Sequence, residues 1–210
     1  MLLGSCLLAA GGWWLYEQRG GHGADAAVAA AREEIAAAQP GKAIPLLRAA
    51  LQTRPKHAEA RELLGQAHLQ AGDPAGAVKE LRRAIALGRD SPANRMALAR
   101  AHLLRGEFDD ALARLASARD ERDPVWQTLS GDVRAARGAA AEAVSFYTEA
   151  IALDPAASGA YLGLARAHMS LGNLAAAEAV LKQALEHELD DDSLWLLQGQ
   201  LGLARRASDE

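Results

Sequence analysis

The residues of this chain best suited to chemistry are three histidines, His68, His102 and His168, a single cysteine, Cys6, and a carboxylate run, Asp190-Asp191-Asp192. Aligned histidines suggest zinc, whose ligand atoms must converge to near 2 Å. These three instead recur at the eleventh place of a repeating unit, and equivalent places on stacked helices lie about 8 to 10 Å apart or more. They read as histidines half-buried between helices with their nitrogens bonded locally, and no metal is expected. The aspartates stand just before a predicted helix, where negative charge suits the N-terminal end of the backbone dipole, so they read as a cap. Trp126 and Trp195 read as core between repeats rather than as platforms for a ligand. No nucleophile stands near a base, no glycine-rich loop suits a phosphate, and no Cys/His cluster occurs in the sequence. Neither catalysis nor a cofactor is expected.

The elements that would position these residues are helices. Around LSGDVRAARGAAAEAVSFYTEAIALDP, residues 129–155, Gln127, Ser130, Gly131 and Arg134 share one helical face, and Gly138 ends that helix. Ala143, Tyr147 and Ala150 form the inner face of a second helix, which Asp154-Pro155 stops. With Pro124 as position 1, small residues fall at positions 8, 20 and 27, a large one at 24 and proline at 32. The same layout recurs from Ala24, Ala58, Pro92 and Ser158, with glycine at position 15 in four of the five units.

This layout resembles the tetratricopeptide repeat, a 34-residue helix-turn-helix unit. The resemblance implies an all-α fold, an α-solenoid of five repeats at 24–57, 58–91, 92–123, 124–157 and 158–191, a capping helix at 192–206 and a frayed tail at 207–210. It also implies a right-handed superhelix. A Gly or Ala at position 8 facing Ala at position 20 would let the two helices of a unit approach, with Leu or Tyr at 24 filling the gap beside them. Within the first repeat the second helix is expected to open at Gly41 or Lys42, with Pro45 in its first turn. Asp73-Pro74 supplies an N-cap and an N1 proline. The third repeat is two residues short, and an irregular junction is expected around it.

Composition agrees, with 210 residues, 4% aromatics and no alternating β-branched runs. A net charge of −4 with dispersed basic residues argues against nucleic acid as a partner. Residues 1–16 carry no charge and end in Trp-Trp-Leu-Tyr. As a helix they would span about 24 Å, short of the roughly 30 Å hydrocarbon core. They also lack the basic start of a signal peptide. Four readings stay open: a start upstream, a marginal membrane anchor or uncleaved signal, lipidation at Cys6 in the lipobox-like Leu3-Gly4-Ser5-Cys6, or an apolar helix packed on the first repeat. The expected location is the membrane of a bacterial envelope, reached through this segment, with residues 20–23 as a flexible link.

In the family that the chain resembles, positions 2, 5, 9, 12 and 13 of the first helices line a concave groove. On that register the groove holds Arg32, Gln66, Met96, Arg100, Leu103, Asp132, Leu162, Arg166, Met169 and Leu196, although residues at position 12 could equally pack on the next repeat. Methionine and leucine interleaved with arginine suit a protein or peptide segment carrying acidic and apolar residues. The Lys and Asn arrangement with which relatives clamp a C-terminal carboxylate is missing. Residues 79–115 are similar to the opening repeats of large lipoproteins found beside exosortase and exopolysaccharide export genes. The expected function is a non-enzymatic interaction scaffold in bacterial envelope assembly or export. The alternative is a substrate-recruiting subunit of an envelope enzyme complex of the pilus-assembly or cytochrome-maturation type.

Overall fold

The structure is a computed structural model that describes residues 22–187, 189 and 192–209, with side chains as far as Arg206. Residues 1–16, Cys6 and Asp190-Asp191 lie outside the described residues. Among those described, the chain is all helix and turn. It divides into two compact units, Met1–Arg105 and Gly106–Glu210, and the division falls inside the third repeat.

The first unit holds α1 (22–36), α2 (Pro40–Thr53), α3 (Ala58–Gln70), α4 (Pro74–Ala86) and α5 (Pro92–Leu104). Its core is built from the small positions and leucines: Ala31, Ala43, Leu47, Ala60, Ala77 and Leu81 are all fully buried. Asp73 caps α4, its carboxylate accepting the Gly76 N–H at 2.9 Å while its second oxygen meets His68 Nδ1 at 2.8 Å. His68 is buried and bonded locally, as its position implied. Buried Glu80 takes Arg61 from α3 and Arg83 from its own helix.

The second unit holds α6 (Phe108–Ser117), α7 (Pro124–Ala136), α8 (Ala140–Leu153), α9 (Ser158–Ser170), α10 (Leu174–Glu186) and α11 (Asp192–Asp209). The missing residues of the third repeat shorten α6 to 10 residues. Tyr147, Tyr161, Leu164, Leu181 and the alanines between them form one core with Leu194, Leu197 and Leu201. Trp126 is 7% exposed, donates Nε1–H to the Leu115 carbonyl at 3.0 Å and tilts against Phe146, so it is core between repeats.

The turns inside the repeats depend on position 15. Gly72, Gly106, Gly138 and Gly172 have φ of 71°, 74°, 85° and 75°, the left-handed geometry in which a helix ends on glycine. In the first repeat this place is Ala38, which takes φ 53° without glycine's freedom.

Several expectations need correction. The nearest atoms over position 8 belong to position 24, which was expected beside the contact: a Cβ on Gly65 would lie 2.6 Å from Leu81 Cγ, and one on Gly131 2.7 Å from the Tyr147 ring. The large residue therefore sits across the small one, and buried alanines such as Ala77 and Ala143 flank the contact. α2 begins at Pro40, which takes the N1 place, so Pro45 lies beyond the first turn, inside the helix. α11 continues to Asp209, beyond the expected end at Arg206, and Arg205 ties its last turns to Glu178 of α10. Trp195 is not core: it is 55% exposed. Tyr161, at the same position on α9, is fully buried with α10 following it, whereas among the described residues no helix follows α11.

Candidate functional site

The candidate faces lie on the first helices of the repeats, each within its own unit, and in the first unit α5 presents one most fully. Met96, Arg100 and Leu103 are spaced by four and three residues, one stripe of a 3.6-residue helix. Arg100 is exposed between the half-buried Met96 and Leu103, and Leu104 beside them is 55% exposed. A cation is thus flanked by apolar surface within one helical stripe. Gln66 is half-buried on α3. Arg32 of α1 is exposed but engaged, its guanidinium paired with Glu59 of α3.

In the second unit α9 repeats the stripe in part. Arg166 is exposed and Met169 half-buried, three residues apart. Leu162, expected in the groove, is instead buried at 9% exposure in the core with Tyr161 and Leu164. Position 5 does not fix burial by itself. Met96, Leu162 and Leu196 all occupy it and are respectively half-buried, buried and 65% exposed, depending on what the next helix covers.

Asp132, at the same place on α7 as Arg166 on α9, is half-buried and accepts the Tyr147 hydroxyl at 2.8 Å. Burial is the main reason that the Tyr147 hydroxyl titrates far above its ordinary value; the Asp132 charge and hydrogen bond add to this, while Arg166 pulls the other way. The phenol therefore stays a donor at any physiological pH and holds the carboxylate in place. The Tyr147 ring also fills the space beside two glycines, because a Cβ at Gly131 or Gly163 would fall 2.7 or 2.3 Å from its Cε1. Beside this lies Arg134, its guanidinium carbon 3.9 Å from the Phe146 centroid and its pKa lowered by burial.

Sequence reasoning missed the acidic partners of these cations, although a spacing signal existed. Arg32 with Glu59, Glu62 with Arg89 and Glu178 with Arg205 are each 27 residues apart, an interval that recurs along the chain and joins one helix to a later element beside it. Of the histidines, His102 is buried in the first unit and His168 half-buried in the second.

The sequence pattern of the tetratricopeptide repeat matches residues 34–93, 68–132 and 134–201, which together take in most of the chain. The chain belongs to the tetratricopeptide repeat family. Among solved structures, this tetratricopeptide repeat protein is similar to TTC0263, a thermophilic repeat protein of Thermus thermophilus, at 22% identity and a TM-score of 0.73, with 86% of this chain and 99% of the other aligned. PilF of Pseudomonas aeruginosa aligns at 18% identity and a TM-score of 0.67 over 90% of this chain and 87% of its own. YrrB, described as a repeat protein with an unusual peptide-binding site, aligns at 18% identity and a TM-score of 0.59 over 82% and 90%. Likeness at these identities is likeness of fold. No curated protein matches the chain in sequence. Members of this family are generally non-catalytic, and the repeat fold makes a scaffold for protein–protein interaction the class of function here.

Proposed function

We propose that this tetratricopeptide repeat protein binds, without catalysing a reaction, an acidic and apolar segment of a partner protein along the first-helix faces of its repeats. The observation that carries the reading is the α5 stripe, in which exposed Arg100 stands between Met96 and Leu103. An amphipathic segment would seat its apolar side chains on methionine and leucine and place carboxylates on the arginine. Arg166 with Met169 offers the same chemistry in the second unit. Arg32 can join by exchanging Glu59 for a ligand carboxylate, since an exposed pair of this kind contributes little, about 0 to 1 kcal/mol. The peptide-binding site described for YrrB supports this class of ligand.

The proposed setting is bacterial envelope assembly or export, with the chain held at the membrane through residues 1–16. The apolar composition of that stretch supports it. No helix among the described residues is long and apolar enough to cross a membrane. Fractionation tests the setting: the full chain should pellet with membranes, a chain starting at Ala24 should stay in the supernatant, and Cys6→Ala should release the protein only if attachment is by lipidation. Recovery of the full chain wholly in the cytosolic fraction would remove the membrane from the account. Affinity capture from solubilised membranes, with the wild type beside Arg100→Glu/Arg166→Glu, tests the binding face. A partner held by both equally would be bound elsewhere.

A further inference from the structure

The eleventh helix leaves one of its faces to solvent. Its inner side is ordinary: Leu194, Leu197 and Leu201 are 2 to 3% exposed and pack into the core with residues of α9 and α10. These are positions 3, 6 and 10, the places where α7 buries Trp126, Leu129 and Val133. The other side carries Asp192, Trp195, Leu196, Gly199, Gly202, Leu203 and Arg206. Their spacing of three or four residues makes one continuous stripe on a helix of 18 residues, about 27 Å long. Trp195, Leu196 and Leu203 are 55%, 65% and 68% exposed, and a Cβ on Gly199 or Gly202 would meet nothing within 4 Å.

Elsewhere in the chain three helical glycines take a large side chain from a helix beside them. Leu81 lies across Gly65, and Tyr147 across Gly131 and Gly163. The α11 stripe holds large and small members together, and it is symmetric about Gly199. Four residues before Gly199 stands Trp195 and four after it Leu203; three before stands Leu196 and three after it Gly202; seven before stands Asp192 and seven after it Arg206.

We propose that this face is the interface of a homodimer in which α11 pairs antiparallel with α11 of a second copy across a two-fold axis at Gly199. In that register Trp195 of one copy meets Leu203 of the other, Leu196 enters the space above Gly202, and Asp192 faces Arg206 at both ends. The glycines let the two backbones approach closely at the crossing. The terminal charges select the antiparallel direction, since a parallel pair would set Asp192 against Asp192 and Arg206 against Arg206. Opposed helix dipoles favour the same direction. The contact is isologous, so it closes at two copies. A single helix pair buries less than about 1,200 Å², the size class of weak and transient contacts, so the test is set for a dissociation constant of micromolar order. Leu196 then serves the dimer rather than a ligand groove.

Cysteine cross-linking of the full chain, in a Cys6→Ser background, tests this directly. A mixture of Trp195→Cys and Leu203→Cys chains should form a disulfide-linked dimer under mild oxidation, and Gly199→Cys should cross-link with itself. Trp195→Cys alone should cross-link poorly, because in the antiparallel pair the two cysteines are about eight residues apart along the axis, about 12 Å. Efficient self-linkage of Trp195→Cys would mean a parallel pair, and absence of any linkage would mean that the face is not used by a second copy; either overturns the proposal. Sedimentation supplies the second arm. Asp192→Arg should weaken the dimer at least about tenfold. Adding Arg206→Asp in the same chain should restore it, while the helicity of the monomer stays unchanged. A wild-type chain that remains monomeric to about 100 μM, well above the expected constant, would also overturn the proposal.

Discussion

Gly163→Ala adds one methyl group where the structure leaves no room for it. The new Cβ would lie 2.3 Å from Tyr147 Cε1 and 2.4 Å from Cζ, far inside van der Waals contact. The ring has little freedom to withdraw, because it is 2% exposed, lies against Gly131 as well, and is tied through its hydroxyl to Asp132. Overpacking of this kind costs about 1 to 3 kcal/mol. Replacing glycine by alanine inside a helix returns about 0.8 to 1 kcal/mol. The net expectation is a loss of roughly 0 to 2 kcal/mol, or up to roughly 8 °C in Tm for a chain of this size. Gly159→Ala, on the same helix, is the reference: its nearest neighbour would be Thr128 Cγ2 at 3.9 Å, an ordinary contact, so that variant should hold or gain stability. Circular dichroism melts of the two variants, repeated in a Tyr147→Leu background, complete the cycle. The Gly163→Ala penalty should shrink by about 1 kcal/mol or more once the ring is gone. Equal melting temperatures for Gly163→Ala and Gly159→Ala would refute the reasoning.

Other outcomes follow from the same packing. Ala143→Leu, at a fully buried place on α8, should cost about 1 to 3 kcal/mol in thermal or urea unfolding, whereas Ala141→Leu on its exposed first turn should change stability little. Ala38→Gly should stabilise the first unit by up to about 1 kcal/mol in urea unfolding, since left-handed geometry costs alanine about 1 to 2 kcal/mol and glycine's unfolded-state entropy cancels about half of that. The Asp25 carboxyl is held below its ordinary value of 3.8, chiefly by its hydrogen bond with His57 and then by the Arg54 charge. Its contribution to stability is therefore present above that ordinary value and lost as pH falls through the lower folded value. Melts from pH 6 down to about 3 should show Asp25→Asn losing less stability over this range than the wild type.

Most of the fold was legible because its physics is local and periodic. Glycine at position 15 announces a left-handed turn, and small residues at 8, 20 and 27 announce helices that touch; the turns and the buried alanines follow both. The Tyr147 and Gly163 pair was also open to reading, since the one unit with tyrosine at position 24 is followed by the one unit with glycine at position 6. What the periodic register could not supply was the neighbour. Leu162 and Leu196 share a repeat position, yet one is core and the other open, because further helices follow α9 and none follows α11 among the described residues. Trp195 misled for the same reason. The charge partners of the candidate face were hidden by distance in sequence: Glu59 reaches Arg32 from 27 residues away, and Tyr147 reaches Asp132 from the next helix.

The central claim is that partner segments bind on the first-helix face of each unit, through Arg100 in the first and Arg166 in the second, beside methionine and leucine. Calorimetry with a synthetic amphipathic peptide of spaced glutamates and leucines tests it most directly. Binding should weaken with salt, as exposed charges are screened over about 8 Å at physiological ionic strength, and should keep an apolar remainder. Arg100→Glu with Arg166→Glu should weaken binding at least about tenfold, or about 1.4 kcal/mol. Arg82→Glu with Lys182→Glu, reversing exposed cations on the second helices α4 and α10, should leave it unchanged. Loss of binding in the second pair with retention in the first would place the ligand on the second helices of the repeats and contradict the account.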